Sequence, residues 1–421
     1  MYENDIRIYK EAFMKNSILV ITELFYPEGG GAEKATYLIL RYLTEHNFKI
    51  SVLTSTKNPA KIPGVNYYIT PLLQHTNRLT KQIYLKLLAR DPIFIKLLQE
   101  HDTLYIPLYA YPLIHIAKQR GLRVVVHLHN YMPVRYNSVK YFFEPDTIGI
   151  LDEFKLAIFH EYYVQQSLLR TLLMPLSFSV YLLNRRQIAE ADKLICVSFR
   201  QAEIVIKSNP HLINKVEVVY NPIPPELLSY EPKKELDDIP TFLYVGGDSY
   251  VKGFHILLYT LNKLGKHGVR ARFILAGGYG SKSLGILKQL GNKFKNLEIQ
   301  VLGRIEFDKL KELYKRIWAL LFPSISEEPL PYAVVESAML GAIPIAPKVG
   351  GIEEILFNFV GKKYLFDPKD LKSLINGLKV IISSDPYDII NDGIKLRESI
   401  LLKFRNEIIL NKLLKLFIDC C

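Results

Sequence analysis

SILVITELFYPEGGGAEKATYLILRYLTEHNFKISVLT, residues 17–54, is the stretch whose reading decides the fold. It opens on a short run of Val, Ile and Leu and passes through a glycine-rich loop. It continues with Ala35, Ile39 and Leu43 at helical spacing and closes on a second apolar run, residues 49–54. Apolar runs this short, separated by an amphipathic crossover, are how strands of a parallel sheet read when helices cover both faces. Residues 103–106, 122–127 and 193–197 repeat the pattern, with helical segments between them. Residues 221–240 interrupt it with prolines, acidic residues and lysines, the composition of a linker. Beyond it the alternation restarts at 242–246, 273–276, 299–302, 319–322 and 343–346. We therefore expect two α/β domains with open parallel sheets facing a cleft, over residues 1–221 and 222–400. A terminal helix over 401–421 is expected to return to the first domain. It belongs to an apolar helical run over 398–418 that no strand follows.

The 421 residues ask for two or three cores at about 150 residues per domain. An apolar content of 49% against 23% charged residues excludes a disordered chain. A net charge of +12 predicts a surface that attracts anions, whether nucleotides, nucleic acid or acidic lipid headgroups. Cys196, Cys420 and Cys421 supply no disulfide framework, which fits a cytoplasmic protein. Residues 1–15 lack the basic-then-apolar plan of a secretory signal. Residues 171–183 fall short of the roughly 20 that span a bilayer, and they contain Pro175.

The segment PSISEEPLPYAVVESAMLG, residues 323–341, follows an expected strand and opens a helix. Pro331 suits the first helical position, and after Leu330 the free amides of Tyr332 and Ala333 would cradle a phosphate. Glu336 falls between Tyr332 and Leu340, where the helix has no polar face, so its carboxylate needs donors. A sugar or ribose diol supplies two, and Glu328 in the entering loop would serve a second diol. The alternative is that Glu327 and Glu328 favour the positive end of the helix and Glu336 pairs with a lysine. In the loop PEGGGAE, residues 27–33, Gly30 and Gly31 allow close approach of a pyrophosphate or make a tight turn. The loop is not GxGxxG, and the next strand ends without an acidic residue, which disfavours a dehydrogenase. Gly247 ends a strand and Lys252 opens the following helix, aiming a cation at the same place. His127 and His129 share one side of their strand, His129 at its carboxyl end. No aspartates stand at i and i+2, and neither a GxxxxGK[ST] loop nor a zinc-spaced Cys/His cluster occurs, so phosphate handling without metal or cofactor is expected.

These residues resemble the retaining glycosyltransferases of family 4, which have the GT-B fold. The resemblance runs through FYPEGGGAE (25–33), VVVHLHN (124–130), ADKLICVS (191–198), VEVVYNPI (216–223), FLYVGG (242–247) with Lys252 and Gly253, FILAGG (273–278) and VLGR (301–304). It ends in residues 323–346 and KVGGIEEI (348–355). It implies a UDP- or GDP-sugar donor and a sugar, glycan or lipid-linked acceptor. Gly30, Gly31 and Gly247 would line the diphosphate, with Leu330, Tyr332 and Ala333 at the phosphate-side helix start. His129 would touch the transferred sugar, Lys252 would stabilise the leaving diphosphate and Glu328 would hold sugar hydroxyls. Glu336 would bind the ribose, and Arg304 and Ile305 would flank the base. The arginine usual at the Gly247 position is absent, and Pro329 and Pro331 replace usual glycines. The resemblance implies front-face attack with retention rather than a covalent intermediate.

Two rival readings are a nucleotide-sugar 2-epimerase, needing acid/base residues at the sugar ring, and a basic nucleic-acid-binding protein, for which no interleaved recognition motif exists. Residues 130–186 match the family poorly. There Tyr131, Tyr136, Tyr141, Phe142 and Phe143 interleave with Arg135 and Lys140, and Tyr162, Tyr163, Leu168, Leu169, Leu172 and Leu173 accompany Arg170, Arg185 and Arg186. This mixture predicts either peripheral contact with the anionic inner face of the cell membrane or helix faces packed into the core.

Overall fold

The computed structural model describes residues 16–74 and 77–418; residues 1–15, Cys420 and Cys421 lie outside the described residues. The chain divides into two compact units. Unit 1 comprises Met1–Val139, Pro145–Pro222 and Asn406–Cys421, and unit 2 comprises Lys140–Glu144 and Ile223–Arg405. The linker region thus starts unit 2 at Ile223, and the chain leaves that unit after Arg405.

In unit 1, β1 (Ser17–Ile21), β2 (Lys49–Thr54), β3 (Val65–Ile69), β4 (Thr103–Ile106), β5 (Arg123–Leu128), β6 (Lys193–Cys196) and β7 (Val216–Val218) form one sheet. Its order is β3-β2-β1-β4-β5-β6-β7 and every pairing is parallel. Ile18 through Ile21 are all buried. Because successive side chains point to opposite faces, helices must cover both sides of the sheet. Each such side chain stabilises the fold by about 1.5–3 kcal/mol. The covering helices are α1 (Gly31–Glu45), α2 (Arg78–Leu88), α3 (Pro92–Glu100), α4 (Ile114–Gln119), α5 (Ile150–Phe159), α6 (Leu168–Leu172), α7 (Met174–Ala189) and α8 (Phe199–Ser208). Helix α1 buries Ala35, Ile39 and Leu43, as their spacing predicts.

Unit 2 repeats the plan. After α9 (Pro225–Leu228) come β8 (Thr241–Tyr244), α10 (Phe254–Lys266), β9 (Ala271–Ala276), α11 (Ser281–Lys293), β10 (Leu297–Gly303), α12 (Phe307–Arg316) and β11 (Ala319–Leu321). Then follow α13 (Tyr332–Met339), β12 (Ile343–Pro347), α14 (Ile352–Ile355), α15 (Phe359–Lys363), β13 (Leu365–Phe366), α16 (Leu371–Ile382) and α17 (Pro386–Lys403). The strands lie in the order β10-β9-β8-β11-β12-β13, again parallel. Two such parallel α/β units are the expected GT-B architecture.

The strands that apolar runs did not announce are β3, β7 and β13, and each is an edge strand. An edge strand has one neighbour and stays partly exposed, as β3 and β7 do along most of their length, so its sequence needs no continuous apolar run. The helix expected over 398–418 is two helices, α17 and α18 (Asn406–Ile418), separated at Phe404 and Arg405. Within unit 1, Tyr42 Oη donates to Asn411 Oδ1 at 2.8 Å, and the Phe417 ring meets Tyr105 edge-on at 5.3 Å.

The insertion between β5 and β6 divides in two. Arg135 and Lys140, which the sequence left between a membrane boundary and the core, are buried. Arg135 donates to the carbonyls of Val134 and Pro145, and Lys140 donates to Glu144 O at 3.0 Å. Backbone and carboxylate partners replace water around both cations, which is what permits their burial. Tyr162, Tyr163, Leu168, Leu169 and Leu172 are exposed. Among the described residues no helix is long and apolar enough to cross a membrane.

Candidate active site

In an open parallel sheet, ligands bind beyond the carboxyl ends of the strands where the strand order reverses. In unit 2 that point lies between β8 and β11. The loop after β8 carries Gly247 and Lys252, and the loop after β11 carries Ser324, Ser326 and Glu328. Gly253, with φ +78°, sits where an added side chain would begin 1.8 Å from Pro323 O, so only glycine lets the two loops close this tightly. The result is an ion pair. Lys252 Nζ lies 2.7 Å from Glu328 Oε1, which also accepts from Ser326 Oγ at 2.9 Å and Ser324 Oγ at 3.1 Å. Burial works against the charge on Glu328, but Lys252 and the two hydroxyls outweigh it and hold the carboxyl below the ordinary glutamate range. The Glu328 side chain is 15% exposed and that of Lys252 42%, so the ammonium keeps a face for a ligand.

The glycine pair of KVGGIEEI clamps this loop. Gly351 N donates to Glu328 O at 2.9 Å. Gly350, with φ +56°, lies where any side chain would begin 2.1 Å from the same carbonyl. The neighbouring glutamate does different work. Glu327 Oε2 accepts from Gly350 N at 2.7 Å, and Glu327 Oε1 lies 3.3 Å from buried Lys140 Nζ. Lys140–Glu144 is the short segment of the N-terminal half that belongs to unit 2. Tyr141 bridges Ser326 antiparallel, Phe142 N donates to Ile325 O at 3.0 Å, and Glu327 N donates to Lys140 O at 2.7 Å. Of the two readings the sequence left open for the paired glutamates, Glu327 is structural, while Glu328 carries the exposed cation.

Leu330 and Pro331 are buried at the start of α13, and Tyr332 and Ala333 are half-buried in its first turn. The first amides of a helix have no intrahelical acceptor, and with the helix dipole they suit an anion. Glu336 is half-buried farther along α13. Burial first, and then the charge of Glu336, raise the phenols of Tyr332 and Tyr314, so the carboxylate lies near both rings. Arg304, exposed just past β10, brings its Nε to within 3.9 Å of where a Gly278 side chain would begin. Gly278 packs against Gly247, so Arg304 supplies a cation on the side where the Gly247 position has none. Ile305 beside it is half-buried. Together the loops of unit 2 offer two exposed cations, first-turn amides and two carboxylates, a set suited to a diphosphate and to diols.

In unit 1 the order reverses between β1 and β4. A cavity of about 680 Å³ opens there, walled by Glu23 and Leu24 after β1 and by Leu108 and Tyr109 after β4. Arg78, which sequence reasoning passed over, is also on its wall. Gly30 and Gly31 are exposed at the start of α1, and Gly30 N donates to Glu33 Oε2 at 2.7 Å. A diphosphate drawing on that amide would replace Glu33. His129 lies one residue beyond β5 with its ring 4.2 Å from that of His127 and a buried Nε2 without a partner. Burial pushes its pKa down to about 3, so it meets a ligand as a neutral imidazole. His127 is a core residue whose Nδ1 lies 2.7 Å from Tyr105 Oη. Among the described residues no three His, Cys, Asp or Glu side chains are grouped to hold a metal ion.

Known proteins match this chain over most of its length. The family description Glycosyltransferase Family 4 fits residues 29–227, and Glycosyl transferases group 1 fits residues 230–396. One subunit of the human phosphatidylinositol N-acetylglucosaminyltransferase is 24% identical over 372 residues, which is 87% of this chain and 68% of the human one. An uncharacterized glycosyltransferase of Methanocaldococcus jannaschii is 30% identical over 184 residues, 40% of this chain and 45% of that protein. Among solved structures, Anabaena HepE in complex with UDP and glucose superposes with a TM-score of 0.64 at 16% identity, covering 96% of this chain and 99% of that one. That likeness is one of fold.

Proposed function

We propose, for a chain that belongs to the family 4 and group 1 glycosyltransferases, that it moves a sugar from a nucleotide-diphosphate sugar to a hydroxyl of a lipid-linked acceptor, retaining anomeric configuration. The observation that carries this reading is the Lys252–Glu328 pair at the β8/β11 switch point. Lys252 and Arg304 are the cations for the diphosphate, with Gly247 and the α13 amides beside them. Glu336 takes the ribose diol and Ile305 the base, while Glu328 and neutral His129 accept or donate hydrogen bonds to the sugar hydroxyls. A UDP-sugar is favoured over a GDP-sugar because the HepE neighbour holds UDP and glucose. The lipid-linked acceptor follows from the name of the human relative and from the exposed apolar surface of the 150–176 region. That surface also supports peripheral contact with an anionic membrane.

In the reaction, the bond between the anomeric carbon and the diphosphate oxygen breaks as the acceptor oxygen bonds to that carbon from the same face. The acceptor proton passes to the departing diphosphate. Preorganised cations at the diphosphate are then the main catalytic lever. No step asks for a metal. Incubating the full chain with radiolabelled UDP- or GDP-sugars and phosphatidylinositol vesicles tests this, with product linkage read by NMR. Transfer from a UDP-sugar with retention, undiminished by a chelator, is expected. An inverted linkage, or activity that a chelator abolishes and manganese restores, would overturn the retaining, metal-free reading.

A further inference from the structure

Within unit 2, residues 140–144 pair antiparallel with the loop that presents Glu328. Tyr141 faces Ser326 between two backbone bonds, Phe142 N to Ile325 O at 3.0 Å and Glu327 N to Lys140 O at 2.7 Å. A tight turn follows, centred on Glu327, in which Glu328 N donates to Ser326 O at 2.8 Å. Two adjacent carboxylates leave this turn for different partners. Ser324 Oγ and Ser326 Oγ, 3.0 Å apart, both donate to Glu328 Oε1, which Lys252 also holds. Glu327 goes to Lys140 and to Gly350 N.

Chemically the two glutamates are interchangeable, and a slip of one residue in the pairing would put Glu327 where Glu328 stands. Charge opposes that slip. The Lys140 side chain is 1% exposed and that of Glu327 7%, against 42% for Lys252. An ammonium buried so deeply needs a carboxylate and further acceptors, and Lys140 has Glu327 Oε1 at 3.3 Å and Glu144 O at 3.0 Å. Such a pair adds little net stability over well-packed apolar side chains, because desolvating both charges offsets their attraction. What it adds is selectivity. Any register that takes Glu327 away leaves a buried cation without its carboxylate, which is strongly disfavoured.

We propose that Lys140 is a positioning residue for sugar transfer: by claiming Glu327 it fixes the register of the loop, so that Glu328 and not its neighbour is presented to Lys252 and the donor sugar. What Glu328 does rests on the glycosyltransferase reading above, but how it is held does not. Lys140 touches no reacting atom. It acts through Glu327 and the peptide that Glu327 shares with Glu328. Gly350 N and Gly351 N, donating to Glu327 Oε2 and Glu328 O, converge on that same peptide from the following loop. A displacement there moves the carboxylate that pairs with Lys252.

Full-length variants separate positioning from stability, each assayed at a temperature where circular dichroism shows it folded. Lys140→Met leaves Glu327 as a rival for Lys252. Lys140→Met with Glu327→Gln removes the rival and keeps an acceptor for Gly350 N. With a radiolabelled UDP-sugar, Lys140→Met should lower kcat by about 10²-fold, as a misplacement of about 1 Å does, with KM little changed. The double variant should recover most of that loss. The second readout is the Glu328 carboxyl, titrated by 13C NMR and assigned with Glu328→Gln. Held below the ordinary glutamate range in the wild type by Lys252 and two hydroxyls, it should move up toward that range in Lys140→Met and return in the double variant. If Lys140→Met does not fold, Glu327→Gln, which leaves Lys140 to draw on Glu328, is read against the double variant in the same way. An unmoved Glu328 titration in the folded single variants overturns the proposal, whatever happens to kcat. A moved titration with wild-type kcat, or a loss confined to KM, overturns the role in transfer. A wild-type chain that transfers no sugar counts against the glycosyltransferase reading, and the titration still decides how Glu328 is held.

Discussion

The two units place a site at the same topological position but build it differently. At the β8/β11 point of unit 2 the central Lys252–Glu328 pair is brought together by two loops packed against glycines, and it leaves one face of Lys252 open. At the β1/β4 point of unit 1 the walls come from helices and the long insertion, and the charges are mostly cancelled before any ligand arrives. Open cations over first-turn amides fit a diphosphate, which brings several negative charges. A cavity whose charges are already largely paired fits a molecule that is mostly neutral. The same fold thus separates a charge-driven site from a largely neutral one.

The largest effect is expected where unit 2 borrows from the N-terminal half of the sequence. Removing one partner of a buried ion pair typically costs about 3–5 kcal/mol, so Lys140→Met should lower unfolding free energy strongly in urea melts. Glu327→Gln, which keeps an acceptor for Gly350 N, should cost less. Equal stability of Lys140→Met and wild type would show that the segment does not hold the loop.

Next comes the β8/β11 pair itself. Lys252→Ala should slow transfer by about 10²- to 10³-fold, the usual cost of removing one preorganised stabiliser. Radiolabelled-donor assays read it. Wild-type turnover in that variant would remove the β8/β11 pair from the catalytic machinery.

The smallest effect concerns His129. Its pKa in the folded protein is pushed down to about 3, against about 6.5 in an unfolded chain. The unfolded state therefore binds the proton first, and stability present above pH 6.5 is lost as pH falls toward 3. His129→Asn should lose less of its Tm between pH 7 and pH 4.5 than wild type does, with buried His127 contributing in both proteins. Between pH 6 and 8 the transfer rate should show no ionisation of His129, and a slope removed by His129→Asn in that range would contradict its neutrality.

The pattern of short apolar runs was enough to reveal both sheets, because a strand buried on two faces must be apolar at every position. It missed β3, β7 and β13, since an edge strand is under no such demand. The residues proposed for the donor side could be singled out for a related reason: Gly247, Lys252, Glu328 and Glu336 lie in loops and in a helix, where motifs are compact and local. What the sequence could not show was what holds Glu327. Lys140 reaches it from far along the chain. Arg78 was equally invisible, for a lone arginine on an amphipathic helix reads as a solvated charge. Only the tertiary structure seats it against the ring and carbonyl of Tyr136, on the wall of the unit 1 cavity. Periodicity and turn chemistry are written in neighbouring residues, whereas burial and the pairing of distant charges exist only once the chain has folded.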